Sequence, residues 1–143
     1  MHQPSLLDYQ RQLIIASLDD FTPNDTLANF QGGQYGADVK AWRSAVTDFL
    51  CATLVCGLIQ ATHRREINDK RDVRLLRALL QQENLECDMP IDILWNVLYF
   101  HGTPLLVDIM TQCGLRSWDS LVAPESQELF MVLEQVCGDF KWR

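Results

Sequence analysis

The sequence predicts an all-α fold, a single compact bundle of about six helices that forms one domain over residues 1–143. Three observations predict it. Apolar residues recur at helical spacing through most of the chain, no segment alternates apolar and polar residues long enough for a strand, and no Asn-Gly or Asp-Gly hairpin turn occurs.

The segment from Val39 to Thr62 is the longest apolar stretch, and we expect it to form a buried central helix. A helix that is apolar nearly all round belongs inside a bundle or a membrane. Asp48 lies within this segment, and a charge at mid-membrane costs about 2.5–3.5 kcal/mol. The sequence therefore favours a helix enclosed by protein and no membrane partner. The apolar positions at helical spacing are Trp42, Ala45, Val46, Phe49, Leu50, Ala52, Leu54, Cys56, Leu58 and Ile59.

The elements before this segment are predicted from local signals. Ser5 can cap a first helix, and Asp8 follows at the spacing of a capping box. Pro23 ends that helix, and residues 22–37, which are rich in glycine and asparagine, form the longest loop. Asp38 is placed to cap the central helix.

Two helices are predicted in the middle of the chain. One begins near Asp69 or Asp72 and ends near Gln82, with leucines on its buried side. The next covers the mostly apolar residues 91–101.

Three further elements complete the bundle. Thr103 and Pro104 form an N-cap and N1 pair for a helix over residues 105–113, and Gly114 suits its C′ position. A short turn starts at Ser117 or Asp119. A last helix begins at Pro124 and ends at Gly138, and we expect at least one aromatic residue of the tail at 140–143 to dock on the bundle.

Composition limits the class of protein. The chain has a net charge of −7 and 48% hydrophobic residues, which suits a folded domain and disfavours nucleic acid as a partner. Five cysteines without a visible signal peptide indicate reduced thiols and a cytoplasmic location.

Motifs that carry chemistry are missing. The sequence contains no Gly-x-Ser-x-Gly, His-Glu-x-x-His, phosphate-binding loop or Cys-x-x-Cys pair. Cys51 and Cys56 are five residues apart, so they do not share a helix face. The sequence therefore predicts no catalytic residue, no metal site, no cofactor and no enzymatic activity.

The charges are distributed unevenly. Residues 63–77 carry six of the twelve Lys and Arg against three acids, whereas residues 83–139 carry ten acids against Arg116 alone. The basic segment is typical of a solvated helix face, with contact to RNA as the alternative. The acidic half is either a merely soluble surface or a docking face for a basic protein.

The leading hypothesis is a small cytoplasmic binding protein that occludes a basic partner, in the manner of an immunity or antitoxin-like inhibitor of a toxin nuclease. A nuclease needs a positive surface to hold phosphate, and an acidic protein is steered to such a surface. The predicted partner-binding residues are Glu83, Glu86, Asp88, Asp92, Glu125, Glu128, Met131 and Glu134.

Other function classes remain open. A helical regulatory or adaptor domain would bind a peptide, or a second copy of the chain as a homodimer, in an apolar groove beside residues 91–113. An enzyme would need a cysteine within hydrogen-bond reach of His63 or His101. A nucleic-acid binder acting through residues 63–77 ranks last.

Overall fold

The computed structural model describes residues 3–64, 67, 70–82 and 90–143. These residues are mostly helical, as predicted, with one small sheet that was not. The helices and strands are, in chain order, α1 (Leu6–Leu18), α2 (Val39–Val55), β1 (Ile59–Ala61), α3 (Val73–Gln81), α4 (Ile91–Val97), β2 (Phe100–Gly102), α5 (Pro104–Gln112) and α6 (Gln127–Val136). Single 3₁₀ turns lie at Pro23–Asp25, Gly33–Tyr35, Lys70–Asp72 and Trp118–Val122.

The helix caps predicted from local sequence are confirmed. Ser5 and Asp8 form a reciprocal capping box at the start of α1. The carboxylate of Asp38 accepts a hydrogen bond of 3.0 Å from the backbone N–H of Ala41 at the start of α2. Thr103 caps α5 with its hydroxyl. Each cap satisfies an N–H that has no partner within the helix, so these starts depend on neighbouring residues alone.

Helix α2 ends at Val55, and the prediction that it continues to Thr62 is wrong. Gly57 adopts a φ of +76°, which glycine reaches without steric cost. The N–H of Leu58 then donates to the carbonyl of Thr53 at 2.9 Å. This bond reaches back five residues, as in a Schellman motif with Gly57 at C′.

The buried central helix is not confirmed. One side of α2 enters the core, where Trp42 and Phe49 are fully buried. The opposite side, which includes Ser44, Asp48 and Val55, is exposed. Helix α2 therefore supplies much of the core without being enclosed on every side.

The small sheet corrects the prediction of a helix over residues 91–101. Helix α4 ends at Val97, and the chain continues extended into β2. Strand β2 pairs antiparallel with β1, with Gln60 opposite His101. Phe21 adds a backbone bridge to Phe100, with N–H···O distances of 2.9 and 2.8 Å. The strands are three residues long, so their alternation is too short to detect in the sequence.

The predicted loop over residues 22–37 packs against α1 and α2. The indole Nε1 of Trp42 donates to the carbonyl of Thr26 at 3.0 Å, and the N–H of Leu27 donates to the buried side chain of Gln12 at 2.9 Å. These bonds fix the loop although it contains little regular structure.

Helix α6 begins at Gln127, and the prediction that it begins at Pro124 is wrong. The fully buried carboxamide of Gln10 donates to the carbonyl of Pro124 at 2.9 Å and accepts from the N–H of Ser126 at 2.8 Å. These bonds tie the segment to α1 in a non-helical conformation. Ser126 then caps α6 by accepting from the N–H of Leu129.

The C-terminal tail docks on the bundle, as predicted. Trp142 is fully buried and lies edge-on to Tyr9 and Phe49. Its indole Nε1 donates to the carbonyl of Cys137 at 3.0 Å. The tail therefore extends the hydrophobic core across α1 and α2.

Cys56 and Cys137 form a disulfide, so the expectation of reduced thiols is wrong for this pair. Their Cα atoms are 5.5 Å apart although the two cysteines are 81 positions apart in the sequence. The pairing depends on the fold, which joins the C-terminal ends of α2 and α6, and no sequence spacing reveals it. A structural disulfide is typical of proteins that fold in an oxidising compartment. Cys51 and Cys113 are free, and Cys87 lies outside the described residues.

Candidate partner-binding surface

Helix α6 presents one side to the core and the other to solvent. Leu129 and Leu133 are fully buried, and α6 packs against α5. Because a helix turns about 100° per residue, these leucines fix which side chains point outward.

The outward side of α6 carries three of the predicted site residues, Glu128, Met131 and Glu134, which we call the α6 acidic face. All three are exposed, and Met131 is 57% exposed. At helical spacing Met131 lies between the two glutamates. Neither glutamate forms an ion pair with any residue that the structure describes. The face therefore offers two unneutralised carboxylates around an apolar, adaptable side chain.

The remaining predicted site residues lie elsewhere. Glu125 precedes α6, and its carboxylate is 3.8 Å from the guanidinium of Arg143. Asp92 belongs to α4 and forms an ion pair of 2.7 Å with Arg43, so its charge is already neutralised. Three predicted residues lie outside the described part of the chain: Glu83, Glu86 and Asp88.

A cleft of about 1100 Å³ opens beside the α6 acidic face, and the sequence analysis missed it. Its floor is the exposed side of α2, where the small side chains of Ala41, Ala45 and Ala52 leave room for the cleft. Residues 134–141 form one wall, so Glu134 belongs both to the cleft and to the α6 acidic face. The signal in the sequence is the set of small residues on one side of α2, a pattern that also fits a buried helix side.

Tyr9 lines the cleft and is only 4% exposed. Its ring stacks on Phe49 at 5.6 Å between centroids, which fixes its position. Its hydroxyl makes no hydrogen bond within the part of the chain that the structure describes. Burial and then the negative charges of Asp48 and Asp8 raise the pKa of Tyr9. The phenol therefore stays neutral and keeps an unused O–H donor.

An ion pair lies at the edge of the cleft floor. A carboxylate oxygen of Asp48 is 3.0 Å from the guanidinium of Arg77. Arg77 belongs to the predicted basic segment, so at least this charge is used within the molecule. The free thiol of Cys51 is buried nearby, and burial raises its pKa to about 11. Cys51 is therefore a protonated, weakly nucleophilic thiol at neutral pH.

One of the two histidines that the sequence proposed for an enzyme site, His101, is held by the sheet. His101 contacts the hydroxyl of Thr62 through Nδ1 at 2.9 Å and the side chain of Gln60 through Nε2 at 3.2 Å. Both ring nitrogens therefore have partners within the chain. Within residues 3–64, 67, 70–82 and 90–143, no group of three or more His, Cys, Asp or Glu side chains could hold a metal ion.

None of the helices that the structure describes combines the length and the apolar character needed to cross a bilayer. No protein-family model, no curated protein and no solved structure matches the chain.

Proposed function

We propose that this protein is a binding module that recognises a basic protein through the α6 acidic face. The observation that carries the proposal is the pair of exposed, unneutralised carboxylates of Glu128 and Glu134 on either side of Met131. An apolar centre within a polar rim is the usual composition of a protein interface.

The net charge supports a basic partner. The protein carries a charge of −7, and such a field accelerates encounter with a positive surface and repels acidic proteins. Polar rim contacts contribute mainly to the association rate and the specificity, whereas the buried centre contributes most of the affinity. Met131 would supply that centre, because its flexible thioether side chain adapts to different surfaces.

The partner class that we propose is an enzyme that holds nucleic acid, such as a toxin nuclease. Its positive surface is complementary to the α6 acidic face, and covering that surface would block the phosphate backbone from entering. The protein would then act as an immunity or antitoxin-like inhibitor without any chemistry of its own.

Affinity capture from the source cells tests the proposal. The tagged protein and the double variant Glu128→Lys/Glu134→Lys are used as baits, and recovered proteins are quantified by mass spectrometry. We expect the wild-type bait to recover a basic protein, and the variant to recover at least tenfold less of it, because two attractive charges become repulsive. The affinity should also fall as salt is raised.

A matched control is the double variant Asp19→Lys/Asp20→Lys, which makes the same change in net charge at two exposed residues beyond α1. It should retain most of the binding if the position of the charges matters. If no basic protein is recovered, or if both double variants bind equally well, the proposal is wrong.

The second candidate function is a peptide-binding adaptor that uses α4. Ile93 and Val97 lie one turn apart on α4 and are each 50% exposed, and Tyr99 is 45% exposed. An exposed apolar pair at this spacing suits contact with another helix. In the same capture experiment, loss of the partner on Ile93→Ser but not on Glu128→Lys/Glu134→Lys would favour this candidate.

A further inference from the structure

The cleft beside α2 combines three features of a built binding site. It is concave, with a volume of about 1100 Å³, and its floor consists mainly of small side chains that let a ligand backbone approach. Its wall at residues 134–141 is held in place by the Cys56–Cys137 disulfide and by burial of Trp142. The cleft is therefore fixed by covalent and hydrophobic contacts before any ligand enters.

The third feature is an unused donor at the base of the cleft. Tyr9 is more than nine-tenths buried, and its hydroxyl has no hydrogen-bond partner among the residues that the structure describes. The hydroxyl itself reaches the solvent of the cleft, so its donor is accessible to a ligand. A ligand that brings a hydrogen-bond acceptor to Tyr9 would satisfy it.

The charges of the cleft favour a cationic ligand. Glu134 and Asp139 lie along the wall, and neither forms an ion pair with any residue that the structure describes. Lys141 is the cation on the same wall. The other cation that lines the cleft, Arg77, is already paired with Asp48.

We propose that the cleft binds a lysine- or arginine-bearing peptide segment of the basic partner, with a backbone carbonyl of that segment accepting a hydrogen bond from the Tyr9 hydroxyl. The cationic side chains of the segment would meet the carboxylates of Glu134 and Asp139. Because Glu134 belongs to both surfaces, the segment would extend from the cleft onto the α6 acidic face. This inference rests on the proposed function and specifies which part of the partner the protein binds.

Nuclear magnetic resonance tests the inference with a defined probe. A capped hexapeptide of alternating lysine and alanine is titrated into the ¹⁵N-labelled protein, and a glutamate–alanine hexapeptide serves as the charge control. We expect the basic peptide to shift amide signals on the exposed side of α2 and along residues 134–141. The acidic peptide should leave those signals unchanged.

The variant Tyr9→Phe removes the hydroxyl and retains the ring that packs on Phe49. We expect it to weaken peptide binding by roughly three- to tenfold, the loss of one hydrogen bond. Tyr35→Phe is the matched control, because Tyr35 is 90% exposed and lies away from the cleft. Ala45→Leu leaves the Tyr9 hydroxyl in place but fills part of the floor, and it should also weaken binding. Thermal unfolding confirms that each variant is folded.

The outcomes separate this inference from the proposed function. Shifts confined to Glu128, Met131 and their neighbours would overturn the cleft as the peptide site and leave the α6 acidic face as the binding surface. Equal shifts with both peptides, no shifts with either peptide, or unchanged affinity in folded Tyr9→Phe and Ala45→Leu would also overturn it. Failure of the proposed function is recognised independently, by the absence of a basic protein in the capture experiment.

Discussion

Cys51 is a thiol whose position in the core controls its chemistry. It is 3% exposed on the buried side of α2, and burial disfavours the charged thiolate. Arg77 and Asp48 act on it with opposite effects, so desolvation decides the direction and raises its pKa from 9.0 to about 11. At alkaline pH this thiol would ionise in the unfolded chain, whereas it would stay neutral in the native protein.

The stability of the protein should therefore fall at alkaline pH, and Cys51→Ala should remove part of that fall. Since folding raises the pKa of Cys51, the stability that its neutral thiol contributes is complete below about pH 9 and disappears as the pH rises towards 11. We expect a loss of about 1 kcal/mol between pH 8 and pH 10 from this thiol. Urea unfolding at a series of pH values measures it. An identical slope in the wild type and Cys51→Ala would contradict the assignment.

At the scale of elements, Gln10 determines where α6 begins. Its carboxamide donates to the carbonyl of Pro124 and accepts from the N–H of Ser126, two backbone groups that precede the helix. This contact joins residues more than 110 positions apart. The orientation of the α6 acidic face therefore depends on a glutamine in α1.

Replacing Gln10 with Leu should retain its volume and remove both bonds. We expect a loss of about 1–3 kcal/mol in unfolding free energy, because two backbone groups lose their partner. Amide hydrogen exchange at Ser126 should become faster, which a general packing defect would not cause selectively. The control Gln112→Leu changes an exposed glutamine at the end of α5 and should leave the exchange at Ser126 unchanged. Unaltered exchange in Gln10→Leu would show that the bonds do not hold this segment.

Elements that start or stop through local contacts could be predicted from the sequence. Ser5, Asp38 and Thr103 start helices through bonds to residues three positions away, so local sequence was sufficient. Gly114 was identified as a C′ glycine because the apolar pattern stops there. Gly57 makes the same kind of turn inside a continuing apolar run, and the periodic pattern concealed it.

The candidate site was predictable only in part. The outward direction of Glu128, Met131 and Glu134 follows from helical periodicity, which needs no knowledge of the fold. The cleft could not be predicted, because it depends on tertiary packing. The tail packs beside α2, and the fold brings Tyr9 of α1 close to Asp48 of α2. Small residues on a helix are equally common at close core contacts, so their pattern alone does not indicate a cleft.

At the scale of the whole molecule, the Cys56–Cys137 disulfide ties the C-terminal segment to the rest of the bundle. It joins the ends of α2 and α6 and lies in the cleft wall. The bond closes a long loop, which restricts the unfolded chain much more than the folded one. It therefore stabilises both the global fold and the wall that faces the proposed peptide.

The double variant Cys56→Ala/Cys137→Ala should lower the unfolding free energy by about 4 kcal/mol, since the two cysteines are 81 positions apart in the sequence. The midpoint of thermal unfolding should fall by on the order of 10 °C. Trp142 should keep the tail docked below that midpoint, because its ring is fully buried against Tyr9 and Phe49. Calorimetry measures the loss of stability, and limited proteolysis after Lys141 tests whether the tail stays docked. Cys113→Ala, which removes a free thiol, should change neither. Rapid cleavage after Lys141 in the folded double variant would mean that the disulfide, and not the aromatic cluster, holds the cleft wall.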